Sequence, residues 1–155
     1  MVSQRIKDAR AHAGYTQAQL GQRLNTSQTN VCDYENRKAL PTLERLIDIA
    51  DACQVSRVWL ITGTGDMVTR YSSAAIDIKV DSIKNRIVMA RVAADTSYAA
   101  INRRSGISLE SLRRWELATN VPRVDLLIKY AEAVGCDAAW LILGVGASPL
   151  KEAVS

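Results

Sequence analysis

Hydrophobic residues recur at three- and four-residue intervals along most of the chain, which is the spacing of one buried face of an α-helix. The first such segment covers about residues 3–13, with Ile6, Ala9 and Arg10 on one face, and it ends at Gly14. Four further helical segments follow before residue 65, and no strong strand pattern interrupts them. The pattern therefore predicts an all-α fold.

Capping and turn residues predict where the next helices begin and end. Helix 2 starts after the hydroxyl of Thr16 and runs to about Leu24, and Ser27 caps helix 3, which runs to about Glu35. Asn25 stands between them, where a tight turn needs a left-handed backbone. The two remaining helices cover about residues 43–53 and the Trp-Leu-Ile segment that stops at Gly63.

The sequence contains an internal repeat. At an offset of 81, residues 5–65 align with residues 86–146 without a gap, and 19 of the 61 pairs are identical. The second copy thus has the same five predicted helices, with Ser97 and Ser108 as caps and Gly106 at the turn. We interpret the chain as two tandem five-helix domains, residues 1–65 and 83–147, followed by a tail at residues 148–155.

Residues 66–82 are predicted to link the two domains. Ser82 is placed to cap the first turn of a helix over about residues 83–94. Residues 76–81 alternate apolar and charged side chains, which is the pattern of a half-buried strand. A plain extended linker explains this segment equally well, and both alternatives stay open.

Charge alone says little about partners. The net charge of +4 permits a polyanionic partner without requiring one, and the excess is evenly divided between the two halves of the chain. Three cysteines and one histidine, without metal-ligand spacing, are too few for a zinc site. We expect reduced thiols, a cytoplasmic location, and no metal, cofactor, small-molecule substrate or membrane contact.

One motif carries the functional interpretation. The pattern Thr16-Gln17-x-x-Leu20-Gly21-x-x-x-Asn25-Thr26-Ser27-x-x-x-Val31-Cys32-x-x-Glu35 resembles the helix-turn-helix signature of the lambda-repressor/Cro-like (XRE) family. The resemblance continues through Pro41 to Gly63. It departs from the family pattern at Gly21, where Ala is usual, and at Asn25, where Gly is usual. It implies two lambda-repressor-like DNA-binding domains in one chain.

The resemblance implies that helix 3 enters the major groove of DNA. Base contacts are then expected from Gln28, Thr29 and Asp33, since Gln can bond bidentately to adenine and Asp can accept from cytosine. Phosphate contacts are expected from residues at the start of helix 2 and after helix 3, namely Gln17, Asn36, Arg37 and Lys38. A solvated helix face with no ligand is the simpler alternative.

The second copy keeps the scaffold and changes the contact residues. Its outward positions are Leu109, Glu110, Arg113 and Arg114. The two arginines are candidates for guanine contacts, and Arg104 is a candidate for phosphate. A protein-protein face is the competing interpretation of this surface.

Two charged pairs are identical in both copies, Arg10 with Glu35 and Arg91 with Glu116. Helix 1 adjoins the end of helix 3 in the family's fold, so each arginine is expected to form an internal ion pair with its glutamate. We expect the role of these pairs to be structural, and a surface salt bridge is the simpler alternative.

These observations predict a sequence-specific regulator of transcription that binds a double-stranded DNA operator, of the repressor type found in phages and mobile elements. The alternative is an antitoxin or phage-encoded inhibitor whose second domain mediates protein interaction or dimerisation. A homodimer is compatible with both. No nucleophile-base pair or phosphate-binding glycine loop is present, so we do not expect an enzyme.

Overall fold

The computed structural model describes residues 1–68, 79–117, 121–146 and 148–149, and that part of the chain contains helices and no strand. The all-α prediction is confirmed. The chain divides into two compact units, Met1–Ser72 and Ser73–Ser155. Among the described residues, no helix combines the length and apolar character needed to cross a membrane.

The first unit contains five helices around one core. They are α1 (Val2–Ala13), α2 (Gln17–Arg23), α3 (Gln28–Glu35), α4 (Leu43–Cys53) and α5 (Arg57–Thr62). Ile6, Leu20, Val31, Ile49 and Leu60 contribute one fully buried side chain from each helix. Because each helix buries one apolar face in this core, the outer face of α3 is free to meet a ligand.

The second unit repeats this arrangement. Its helices are α6 (Val80–Ala93), α7 (Tyr98–Ser105), α8 (Leu109–Leu117), α9 (Val124–Val134) and α10 (Ala138–Leu143). Ile87, Ile101, Leu112, Leu127 and Leu141 form the matching core, one from each helix. Four of these five positions align with the core positions of the first unit at the offset of 81.

The caps predicted for the second and third helix are present in both units. The Oγ1 of Thr16 accepts a hydrogen bond from the backbone N–H of Gln19 at 3.1 Å, and the Gln19 side chain bonds the Thr16 N–H in return. Ser27, Ser97 and Ser108 each accept from the backbone N–H three residues later, also at 3.1 Å. These local bonds fix where the second and third helix of each unit begin.

The turn before each outward helix also has the predicted conformation. Asn25 has φ 53° and Gly106 has φ 76°, both in the left-handed region. Asparagine tolerates this region better than most side chains do, and glycine has no penalty there. The departure from the usual glycine at position 25 therefore leaves the turn intact.

The segment between the units differs from the prediction in two respects. Helix α6 begins at Val80 after Lys79, so Ser82 lies inside the helix and does not cap it. Val80 and Asp81 are helical, so both alternatives for residues 76–81, a strand and an extended linker, are wrong at these two residues. Its remaining part, residues 76–78, lies outside the described residues.

The cysteines are free thiols. Burial raises the pKa of Cys53 and of Cys136 to about 11, so both thiols are protonated near neutral pH. Cys32, on α3, is half-buried.

Candidate nucleic-acid interface

A glutamate at the end of α3 joins three helices of the first unit. Glu35 accepts from the Arg10 Nε at 2.5 Å and from the Arg10 Nη2 at 3.1 Å, and its Oε2 also accepts from the Gln17 Nε2 at 2.9 Å. The Arg10 Nη1 donates to the carbonyl of Tyr15. The Glu35 side chain is 3% exposed. This cluster, Arg10, Gln17 and Glu35, fixes α3 against α1 and against the start of α2.

The second unit contains the same cluster with one substitution. Glu116 accepts from Arg91 at 2.6 Å and 3.1 Å, as Glu35 does from Arg10. Tyr98 stands where the first unit has Gln17, and its hydroxyl donates to the Oε2 of Glu116 at 2.6 Å. The Arg91 guanidinium also lies over the Tyr98 ring, 4.7 Å from its centroid. The hydrogen bond from the start of the second helix to the buried glutamate is thus retained, although a tyrosine donates it in place of a glutamine.

The pKa of Glu116 reflects this cluster. Burial alone would raise that pKa, but the hydrogen bonds from Arg91 and Tyr98 lower it below its usual value. The bond to Glu116 raises the pKa of Tyr98, since the donated proton is held in the folded state. The bond from Tyr98 to Glu116 thus joins a neutral tyrosine to an ionised glutamate.

We expect the second unit to lose stability in acid because of Glu116. A carboxyl group whose folded pKa is lowered stabilises the fold above its unfolded pKa, about 4.3, and loses that contribution as the pH falls through its folded pKa. Urea unfolding of the chain between pH 6 and pH 3, followed by hydrogen exchange in α6–α10, measures this. The variant Glu116→Gln should show a flatter dependence, and equal slopes for both proteins would contradict the expectation.

The outer face of α3 presents the residues predicted to contact bases. Val31 is fully buried, whereas Gln28 and Thr29 in the first turn are exposed and Asp33 is half-exposed. Cys32 shares this side of the helix, and its Sγ accepts from the Asn36 amide at 3.1 Å. The structure thus places the three predicted base-contact residues on one accessible face.

The chain turns sharply after α3. Arg37 has φ 63°, a left-handed conformation, and the backbone N–H groups of Lys38 and Ala39 both bond back to the Asp33 carbonyl. Asn36, Arg37 and Lys38 are exposed. Three of the predicted phosphate-contact residues therefore come directly after α3, the helix that carries Gln28, Thr29 and Asp33.

The face of α8 has different chemistry. The Arg114 Nη2 donates to the Glu110 Oε1 at 2.5 Å across one helical turn, in an exposed ion pair. Arg113 is exposed beside them. Leu109 and Leu117 are among the exposed large hydrophobic residues of the described chain. In the second unit, a mixed apolar and ion-paired surface thus replaces the polar face of α3.

Arg104 belongs to a different helix from Arg113 and Arg114. It belongs to the last turn of α7, and its Nη1 donates to the carbonyl of Ala133 in α9 at 3.1 Å. Phosphate contact by Arg104 stays a prediction.

Sequence reasoning missed the role of one further identical pair, Arg5 and Arg86. The Arg5 guanidinium donates to the carbonyls of Leu60 and Ile61, and Arg86 repeats these bonds in the second unit. Both arginines therefore satisfy carbonyl groups at the end of the last helix, which lack partners within it. Their identity in both copies was the available signal.

Comparisons with known proteins agree with this geometry. A family model described as helix-turn-helix matches residues 6–60 and again residues 87–141, which together are more than half of the chain. The transcriptional repressor RstR of the cryptic phage CTXphi, from Vibrio cholerae serotype O1, is 36% identical to this chain over 55 residues. That match covers 36% of this chain and 49% of RstR, so the chain spans about half the length of this relative. No solved structure matches the chain.

Proposed function

Because the chain belongs to the lambda-repressor/Cro-like (XRE) helix-turn-helix family, we propose that it is a phage-type transcriptional repressor that binds double-stranded operator DNA. The observation that supports this most directly is the outer face of α3. Its exposed Gln28 and Thr29 project from a helix that Glu35 holds in place, and two exposed cations follow it. The likeness to a phage repressor favours this function over the antitoxin alternative.

In this proposal the first turn of α3 reads base edges in the major groove. Gln28 bonds an adenine through its amide, and Thr29 contacts a thymine methyl group or donates a hydrogen bond. Asp33, one turn later, accepts from a cytosine amino group. These contacts give sequence preference, because each base pair presents a distinct pattern in the major groove.

The phosphate contacts in this proposal flank the reading face. Gln17 uses one amide hydrogen for Glu35, which leaves its second amide hydrogen for a phosphate oxygen. Asn36, Arg37 and Lys38 approach the backbone of the same groove from the other end of α3. Such contacts set position and affinity without reading sequence.

Contacts between the second unit and DNA stay predictions in this proposal. Base contacts by Arg113 and Arg114 compete with a protein-protein role for α8. The proposed activity requires no catalysis and no cofactor, and it places the protein where its operator DNA is, in the cytoplasm.

Gln28→Ala is expected to weaken operator binding about 5- to 150-fold, since a bidentate base contact is worth about 1–3 kcal/mol. The operator is first selected from random DNA at one fixed salt concentration, and affinity is then measured by fluorescence anisotropy. Gln22→Ala removes the same side chain from an exposed position on α2 and is the matched control. Equal affinity for the two variants would contradict the proposed reading face.

The double variant Arg37→Gly, Lys38→Ala is expected to reduce the salt dependence of binding. Removal of one phosphate contact lowers the slope of log K against log salt by about 0.9, so we expect a change of about 1.8. Glycine suits the left-handed backbone at position 37, so the turn is preserved. Lys7→Ala, which removes an exposed cation of α1, should leave the slope nearly unchanged. An unchanged slope in the double variant would exclude these two phosphate contacts.

A further inference from the structure

The second unit does not repeat the polar residues that follow the outward helix of the first unit. At the offset of 81, Asn36, Arg37 and Lys38 correspond to Leu117, Ala118 and Thr119. None of the three replacements carries a charge. Since phosphate contacts supply a large share of the affinity of such interfaces, the segment after α8 lacks the predicted anchors that follow α3.

The residue that replaces Gln17 shows the same change. Tyr98 has one hydroxyl hydrogen, and it donates that hydrogen to Glu116 at 2.6 Å. Gln17 keeps a second amide hydrogen after it bonds Glu35, whereas Tyr98 keeps none. The start of α7 therefore has no side-chain donor left at the position where the first unit has its predicted phosphate contact.

The face of α8 carries instead one anion, Glu110, and two cations, Arg113 and Arg114, and the pair of Glu110 with Arg114 is self-complementary. Glu110 and Arg114 lie one helical turn apart, with side chains 79% and 67% exposed. If two copies of α8 lie antiparallel across a two-fold axis, each Glu110 faces the Arg114 of the other copy. A symmetric contact of this kind requires a self-complementary surface. Leu109, 38% exposed, and Leu117, 81% exposed, add apolar area on the same helix.

We propose that α8 is the contact surface between two copies of this chain. The dimer then presents two copies of α3, one for each half of a two-fold symmetric operator, which is the part of the inference that rests on the proposed function. One helix face buries less than the area of about 800 Å² per partner that stable complexes use. The dimer therefore dissociates readily when free and is held together by the operator.

A charge-reversal cycle tests this surface. In Glu110→Arg the facing groups are all cations, and in Arg114→Glu they are all anions, so each single variant should weaken dimerisation at least about tenfold. The double variant Glu110→Arg, Arg114→Glu restores opposite charges across the axis and should recover most of the affinity. Sedimentation equilibrium over a range of concentrations, with and without operator, measures the dimer. Both substituted positions are exposed, and circular dichroism checks that the helices persist.

The same variants distinguish a DNA-reading α8. If α8 contacted DNA, Glu110→Arg would add positive charge and strengthen binding, whereas Arg114→Glu would weaken it. A dimer surface predicts that both weaken operator binding and that the double variant restores it. Opposite effects of the single variants, or a monomer both free and on the operator, would overturn the inference.

The proposed function fails in a different way. Gln28→Ala should weaken operator binding while the dimer measured without DNA stays unchanged. If no sequence is selected from random DNA, the repressor proposal is wrong, and the sedimentation cycle still decides whether α8 joins two copies.

Discussion

Glu35→Ala is expected to lower the free energy of unfolding of the first unit by about 3 kcal/mol. The substitution leaves Arg10, whose side chain is 16% exposed, without its carboxylate partner, and it frees Gln17 from its acceptor. Removing one member of a buried ion pair costs more than the pair contributes, because a charge stays buried without compensation. For a unit of this size the loss approaches its whole stability.

Urea unfolding measured by amide hydrogen exchange reports the stability of each unit separately. Protection in α1–α5 should fall, whereas protection in α6–α10 should not. Asp51→Ala removes the partner of Arg57 from a more exposed pair and should cost less than about 1 kcal/mol. Glu116→Ala should have an intermediate effect, because Glu116 is 12% exposed. Equal losses for Glu35→Ala and Asp51→Ala would show that burial of the cluster does not matter.

The second large effect is expected from Gly21→Leu, which should destabilise the first unit by about 3 kcal/mol and weaken operator binding with it. A Cβ at Gly21 would lie 3.0 Å from the Thr26 carbonyl oxygen and 3.3 Å from the Gln28 backbone nitrogen. The further carbons of leucine would force α2 away from the start of α3. Thermal unfolding and operator binding of the same preparation measure both consequences.

Gly21→Asn is the matched control for that substitution. Asn102 occupies the corresponding position in the second unit, and its amide donates to the Ile107 carbonyl, the counterpart of the Thr26 carbonyl. Asparagine can therefore replace a close contact with a hydrogen bond, and we expect it to be better tolerated than leucine. Ala18→Leu, at an exposed position of α2, should be nearly neutral. A leucine at position 21 that behaves like the one at position 18 would contradict the steric argument.

The start of most helices could be predicted from the sequence because the determinants are local. Thr16, Ser27, Ser97 and Ser108 cap helices through bonds that span three residues, and such bonds are visible as spacing. The prediction failed at Ser82 because α6 begins at Val80 and has no side-chain cap. Where no capping side chain is used, local spacing gives no signal for the boundary.

The contacts between distant residues were predicted only where the repeat indicated them. The ion pairs of Arg10 and Arg91 were predicted because both partners are identical in both copies. Arg5 and Arg86 were not, because their partners are backbone carbonyls 55 and 56 residues away, which no residue type identifies. The hydrogen bond of Tyr98 escaped prediction for another reason. Tyr98 differs in residue type from Gln17, whereas the two side chains donate to corresponding glutamates, Glu116 and Glu35.

At Arg37 the left-handed backbone lowers the stability of the first unit, whereas the side chain is proposed to raise its affinity for DNA. A side chain in this conformation costs about 1 kcal/mol or more relative to glycine, so Arg37→Gly alone should make the first unit more resistant to heat. A laboratory selection for thermal stability would therefore favour glycine here and remove a cation that we propose contacts DNA. Any attempt to engineer a more stable version of this protein should leave position 37 unchanged and should seek stability at positions outside the proposed DNA contacts.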